Sequence, residues 1–196
     1  MGQYYKAIIL GSKGIAKKEL IRLWMSPYAY GNGSKLMEHS YIGNSYVETF
    51  EFLLSPEGRA YMSRVVWAGD YADEEPKTDD QQEAQNLYSQ ANDDESDTTI
   101  GNLLLQPPKR STTKYRYIVN HDKKQYVDKQ KSKPVEDDHD LRIHPLPLLT
   151  AEGNGRGGGD FRGTDEDKVG IWARDVISVE VTPPADYTEL EVNFRE

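Results

Sequence analysis

The sequence predicts an α+β fold in which a mostly antiparallel, twisted sheet packs against one or two helices. Three observations predict this class. Short runs of β-branched and aromatic residues recur, as at 64–69 and 115–119. Residues 46–54 place apolar side chains at helical spacing. Gly and Pro separate most of these runs, which is typical of short elements joined by turns.

The first quarter of the chain begins with a strand. Residues 3–10 are aromatic and β-branched, and the run ends at Gly11. Residues 15–25 fit either a short helix or a second strand, because their apolar positions match both periods. Pro27 ends this run, and a Gly-Asn-Gly turn follows at 31–33.

A helix and a central strand follow. Asn44 or Ser45 supplies a side-chain oxygen that caps a predicted helix over 46–54. Pro56 closes the helix, and residues 64–69 then predict a buried strand.

The second half predicts a hairpin and a final strand. Residues 115–119 and 125–128 are rich in β-formers, and the four residues between them form the turn. Two prolines make 144–149 an extended edge or a loop. Residues 170–172 and 176–181 predict one or two further strands.

The domain boundaries follow from the polar segments. A chain of 196 residues is long enough for one substantial core. We expect a single α+β domain over 1–72 and 100–182. Residues 73–99 contain few apolar side chains and predict an exposed acidic insertion, with one helix around 81–90. Residues 183–196 predict a polar C-terminal tail.

Charge is distributed in blocks. The chain carries a net charge of −9, and Asp73 to Asp97 alone holds ten acidic residues and one lysine. Residues 109–133 carry nine basic and two acidic residues. Such blocks serve either as solvated faces or as contact surfaces for a charged partner. Cysteine is absent, which excludes disulfides, thiolate chemistry and Cys-containing zinc sites. No apolar run is long enough to span a membrane, so we expect a cytoplasmic protein that does not bind membranes.

The glycine-rich stretch 153–160 is the first candidate for chemistry. Gly153, Gly155 and Gly158 match the dinucleotide-binding spacing, and Arg156 would pair with an anion. The preceding residues make a poor strand and no helix pattern follows, so the match lacks its structural context. The alternative is a tight structural turn.

The histidines form no short metal-binding spacing, so we predict no metal site and no cofactor. A site assembled in space from His39, His144 and Asp70 or Asp160 is the alternative. Asp70, directly after the strand at 64–69, is the best candidate for a partly buried acid, and its simpler role is to cap a turn.

Several stretches resemble a family of small proteins associated with bacteriophages and mobile elements. They include GQYYK at 2–6, GNGSKLMEHS at 31–40 and VWAGDYAD at 66–73. Residues 119–128, and 144–149 with 153–159, resemble the family too. The resemblance spans most of the chain outside the acidic segment. It implies a role in countering host defence, as anti-CRISPR proteins do, and it transfers no catalytic residues.

The leading hypothesis is therefore a non-enzymatic phage anti-defence protein. It would bind and block a host nucleic-acid-handling complex in the host cytoplasm, such as a Cas effector nuclease. Direct nucleic-acid binding by the basic hairpin is the weaker alternative. The residues expected to make the contacts are charged: Asp73, Glu74, Glu75, Asp79, Asp80, Asp93, Asp94, Glu95, Lys123, Lys124, Lys129 and Arg156.

The sequence is also compatible with two other functions. One is a hydrolase or nucleotide-acting enzyme that uses the 153–160 loop with Arg156, His39 and Asp70. Convergence of these residues in one concave pocket would favour it. The other is a phage structural or assembly protein, which would form a symmetric oligomer.

Overall fold

A computed structural model describes residues 2–11, 21–77, 83–91, 114–135 and 138–195. The expected α+β class is confirmed. In the described part of the chain, eight strands form one mixed, mostly antiparallel sheet, accompanied by four short helices.

Three strands form one side of the sheet. β1 (Tyr5–Leu10) lies between β2 (Ile21–Met25) and β3 (Ser63–Gly69), and pairs antiparallel with both. Successive side chains of a strand point to opposite faces, so Tyr5 and Ile8 lie on different sides of the sheet. Both sides are buried here, which explains the nearly continuous apolar run of β1.

The remaining strands extend the sheet beyond β3. Their bounds are β4 (Tyr117–Asn120), β5 (Gln125–Asp128), β8 (Ala151–Glu152), β9 (Val176–Glu180) and β10 (Thr188–Glu189). β4 and β5 form the predicted hairpin, and β9 joins β4 to β3. β8 runs parallel to β3, and β10 runs parallel to β5. A separate pair consists of β6 (Pro134–Val135) and β7 (Asp138–Arg142).

The first face of the sheet carries the main core, covered by α1 (Leu36–His39), α2 (Ser45–Leu53) and α4 (Pro145–Leu149). The Asn44 side chain accepts hydrogen bonds from the first backbone N–H groups of α2, as the sequence predicts for a cap. The apolar residues of α2 pack against the sheet, with the Phe50 ring centroid 4.9 Å from that of Trp67.

The second face carries a smaller apolar cluster. Ile8 and Trp24 from the sheet pack there with Leu87 and Ala91. Leu87 begins α3 (Leu87–Gln90), a single turn within the segment predicted to be exposed. The prediction of an exposed insertion is therefore wrong for the buried residues Asn86, Leu87, Gln90 and Ala91, whereas Gln85 and Ser89 are exposed.

Three further predictions are wrong. Residues 145–149 form a helix, because proline is tolerated in a first helical turn. Residues 170–172 form a turn, with Gly170 at a φ of 79°. In the predicted polar tail, Phe194 is buried beside Phe161, with ring centroids 5.9 Å apart.

Candidate functional site

The acidic segment is the predicted contact region, and the structure divides its residues into three groups. Asp73 and Glu74 are exposed. Glu75 is 3% exposed, so the prediction that it belongs to a solvent-facing surface is wrong. The remaining predicted carboxylates lie outside the described residues: Asp79, Asp80, Asp93, Asp94 and Glu95.

Glu75 is held by a four-residue ion network on the second face. Glu75 Oε1 accepts hydrogen bonds from Arg156 Nη1 at 2.9 Å and from Arg174 Nη2 at 2.5 Å. Glu152, at the end of β8, accepts from the same two arginines at 3.1 and 2.6 Å. Two guanidinium groups therefore balance two carboxylates, and the network ties the segment to the sheet.

The electrostatics of the network favour the charged form of Glu75. Burial alone would raise the pKa of Glu75. Hydrogen bonds and positive charge from Arg174 and then Arg156 outweigh the burial and hold the pKa of Glu75 below its usual range. Arg174 adopts a left-handed backbone with a φ of 68°, and its N–H donates to Val65 O at 2.7 Å. Such a backbone is unfavourable for arginine. The hydrogen bonds of the network, together with the one to Val65 O, offset this cost.

A second anchor lies about ten residues further along the segment. The Asn86 amide donates to Asp70 O at 2.9 Å and to Ala72 O at 3.2 Å. Leu87 is 1% exposed and packs on the second face. The segment is thus attached to the sheet at Glu75 and at Asn86–Leu87. Asp73 and Glu74 lie exposed directly before Glu75.

The glycine-rich loop 153–160 packs over the start of β1. A side chain at Gly153 would place its Cβ 2.0 Å from Gln3 Oε1, and one at Gly159 would place it 2.1 Å from the Tyr5 hydroxyl. Asp160 accepts a hydrogen bond from Gln3 N at 3.0 Å. The close approach explains why glycine is needed here. Arg156 is engaged with two carboxylates, so the loop matches the structural alternative rather than a phosphate site.

His39 and Asp70, the other candidates for an enzyme, serve structural roles. His39 is fully buried on the first face, where Nδ1 lies 3.0 Å from Gly33 O and Nε2 accepts a hydrogen bond from Trp67 Nε1 at 2.9 Å. Burial lowers the pKa of His39 to about 4. Asp70 accepts a hydrogen bond from Tyr4 N at 3.0 Å. The structure does not bring His39 to the surface near the loop.

The predicted basic residues are largely neutralised by partners. Lys123 forms an ion pair with Asp175, and Lys124 lies 3.6 Å from Asp186. Lys129 is buried and pairs with Glu51 of α2, so the prediction that it is a surface contact is wrong. Paired lysines release fewer counterions from a phosphate backbone, so we expect the pairing of Lys123 with Asp175 to reduce its contribution to any nucleic-acid contact.

His144 completes the buried cluster around Lys129 and Glu51. Its Nε2 lies 3.5 Å from Glu51 Oε1, and its Nδ1 accepts a hydrogen bond from Leu146 N at the start of α4. Burial opposes ionisation of Glu51, but the charge of Lys129, with further interaction from the His144 imidazole, prevails and lowers the pKa of Glu51. The cluster is closed to solvent, and it joins α2 to the turn after β5 and to the residue that caps α4.

Ser178 of β9 and His121 of the turn between β4 and β5 also approach each other. His121 Nε2 lies 2.8 Å from Ser178 Oγ. Ser178 Oγ donates to Glu180 Oε1 at 2.8 Å, so it accepts from His121 Nε2–H. His121 Nδ1 then accepts from the Tyr187 hydroxyl at 3.1 Å. The imidazole therefore faces the serine with a proton, and Ser178 is fully buried, so the pair is not arranged as nucleophile and base.

Two surface cavities lie apart from the residues that the enzyme hypothesis would use. One, of about 480 Å³, is lined by residues within 127–133, 165–168 and 189–193. The other, of about 520 Å³, is lined by residues within 158–169. Neither lining contains His39, Asp70 or Arg156. In the described ranges, no group of three or more His, Asp or Glu side chains is suited to a metal ion.

Sequence reasoning missed Glu152 and Arg174 in the network. Their signal is weak, since each is a charged residue at the border of a short apolar run. Arg174 bonds to Glu152, 22 positions before it, and to Glu75, 99 positions before it.

Comparison with protein-family models, with curated proteins and with solved structures finds no match. Among the described residues, no helix has both the length and the apolar character that crossing a membrane requires.

Proposed function

We propose that this chain is a non-enzymatic anti-defence protein. It occupies a positively charged groove of a host nucleic-acid-handling complex, such as a Cas effector nuclease, and blocks access of nucleic acid. The observation that carries the proposal is the anchored acidic segment, with Asp73 and Glu74 exposed beside the buried Glu75.

Anchoring matters because binding has an entropic cost. A free acidic loop loses conformational freedom when it enters a groove, and this loss opposes association. The Glu75 network and the Asn86–Leu87 attachment order the neighbouring backbone before any partner arrives. Fixed carboxylates then present a field that complements a groove lined with lysine and arginine.

The overall charge supports the same function. A net charge of −9 repels nucleic acid and attracts basic surfaces at a distance, which raises the association rate at low ionic strength. On the hairpin, Lys123 and Lys124 have acidic partners and so do not offset this attraction. The phage association implied by the sequence resemblance points to a host defence complex as the target.

The test is inhibition of DNA cleavage by a panel of purified type II and type V Cas effector nucleases. We expect inhibition of at least one effector, weakened by raised salt. Reversing the exposed pair with Asp73→Lys and Glu74→Lys should raise the inhibitory concentration at least about tenfold, because attraction is replaced by repulsion. The matched control reverses another adjacent, exposed acidic pair, Glu166→Lys and Asp167→Lys.

Two results would contradict the proposal. One is cleavage at full rate by every effector in the presence of excess protein. The other is inhibition that Asp73→Lys and Glu74→Lys weaken no more than the Glu166 and Asp167 control does.

A further inference from the structure

Tyrosine side chains gather at one end of the second face of the sheet. Tyr4, Tyr28 and Tyr71 are 44%, 66% and 48% exposed, which is high for such large rings. Tyr88, the second residue of α3, is partly buried beside them. We name these four residues, together with Asp70, the tyrosine face.

Backbone contacts and electrostatics place the members of the tyrosine face together. Tyr4 N donates to Asp70 Oδ1 and Asp70 N donates to Tyr4 O, both at 3.0 Å. Burial raises the pKa of Tyr88, and the nearby Asp70, Tyr28 and Tyr4 raise it further. Tyr71 follows Asp70 directly, and its carbonyl accepts from Gly155 N at 3.0 Å. Asp70 therefore lies among Tyr4, Tyr71 and Tyr88, and Tyr28 lies near Tyr88.

The charge beside these rings is mainly negative. Asp73 and Glu74 are exposed two and three residues after Tyr71, and Asp73 lies against Gly155. Several cations of this region have partners within the protein, among them Lys6, Lys35 and Arg156, which pairs with Glu75 and Glu152. Lys6 Nζ donates to Tyr88 O and Ala91 O, and Lys35 pairs with Glu38 at 3.9 Å.

The protein already binds a cation on aromatic rings in this region. Lys6 Nζ lies 4.2 Å from the centroid of the Tyr88 ring and 4.8 Å from that of Trp24. These distances fit a cation–π contact. The inner rings therefore hold an internal lysine, while the outer rings of Tyr4, Tyr28 and Tyr71 have faces open to a partner.

We propose that the tyrosine face binds arginine side chains on a basic surface of a partner protein. Guanidinium groups stack on the exposed rings and pair with Asp70, Asp73 and Glu74. Arginine fits better than lysine, because its planar group stacks on an aromatic ring while its N–H groups bond to a carboxylate. The choice of a nucleic-acid-handling protein as the partner rests on the proposed function.

Nucleic acid is the alternative occupant, since bases also stack on tyrosine. The carboxylates disfavour it, because Asp70, Asp73 and Glu74 repel phosphate groups. In a groove that binds nucleic acid, arginines contact bases and phosphates. On the tyrosine face, the same arginines would contact aromatic rings and carboxylates instead.

The test compares binding of nona-arginine and nona-lysine peptides to the full chain by calorimetry at moderate salt. Each exposed cation–π contact contributes a factor of about 2 to 5 in affinity, so we expect nona-arginine to bind at least about tenfold more tightly. Substituting Tyr4, Tyr28 and Tyr71 together by serine should bring the ratio close to one, because nona-arginine loses ring stacking as well as cation–π attraction and nona-lysine loses only the latter.

Two further variants keep the test decisive. Tyr61→Ser removes a tyrosine that is 40% exposed elsewhere and bonded to Glu180, and it should leave the ratio intact. Tyr28→Ser alone changes the most exposed ring and should lower the ratio about two- to fivefold even where the triple variant fails to fold.

Three results would overturn the inference. They are equal affinity for the two peptides, an arginine preference that survives both the triple and the Tyr28 substitutions, and binding of oligothymidylate that these substitutions abolish. The outcome is separable from that of the cleavage assay. Arginine preference without inhibition of any nuclease refutes the proposed function alone, whereas inhibition without arginine preference refutes the tyrosine face alone.

Discussion

The two faces of the sheet are stabilised in different ways. The first face buries large rings and aliphatic side chains under three helices, and its charged cluster of Glu51, Lys129 and His144 is closed to solvent. The second face buries a small apolar cluster and relies on the partly open Glu75 network to hold a polar segment. The difference teaches that the first face maintains the fold, whereas the second positions a surface.

The largest expected effect comes from the first face. Phe50→Ala removes a fully buried ring that packs on Trp67 and leaves a cavity. We expect the free energy of unfolding to fall by about 4 kcal/mol. Urea denaturation followed by far-UV circular dichroism measures the change. A loss below about 1 kcal/mol would show that this face is loosely packed and does not maintain the fold.

The buried charges of the first face give the next effect. Glu51→Gln leaves the Lys129 ammonium without a counter-charge inside the protein, and we expect a loss of about 3 kcal/mol in the free energy of unfolding. Glu57→Gln is the matched control, because Glu57 pairs with Lys114 at 2.6 Å with both side chains about half exposed. The control should change stability by less than about 1 kcal/mol. Similar losses in both variants would count against a closed cluster.

The pH dependence of stability should also come largely from the first face. The pKa of His39 is about 4 in the folded protein and 6.5 in the unfolded chain. Neutral His39 therefore contributes stability that is complete above pH 6.5 and is lost as the pH falls toward 4. Between pH 7 and 4.5, we expect the free energy of unfolding to fall by about 2 kcal/mol.

His39→Gln checks the origin of this slope. The glutamine oxygen can accept the Trp67 Nε1 hydrogen bond but does not titrate, so the slope between pH 7 and 4.5 should flatten. Burial also lowers the pKa of His144, which retains part of the slope in the variant. An identical slope in the variant and the unmodified protein would rule His39 out as its source.

The predictable parts of the fold are those fixed by local pattern. β1, β3 and the hairpin follow from apolar and β-branched runs, and α2 follows from helical spacing with Asn44 as its cap. The helix at Pro145–Leu149 was missed because two prolines favour extended structure until their place in the first turn is known.

The candidate site depends on distant partners, so the sequence could predict only its charge. Glu75 looks like one carboxylate among many until Arg174 and Arg156 are brought to it. Leu87 is an isolated apolar residue in a polar stretch, and its burial depends on the second face of the sheet. Lys129 belongs to a basic run, and its partner Glu51 lies 78 positions earlier. Exposed tyrosines give no sequence signal that separates them from buried ones.

Hydrogen–deuterium exchange of the amides of Glu75, Gln90 and Ala91 tests most directly whether the acidic segment is docked. These N–H groups donate to Gln85 O, Asn86 O and Leu87 O at 2.9 to 3.1 Å. We predict protection in the unmodified protein and about tenfold faster exchange in Glu75→Gln, with the amides of α2 unchanged. Exchange of all three amides at unfolded-chain rates in the unmodified protein would contradict the docked segment and, with it, the surface it positions.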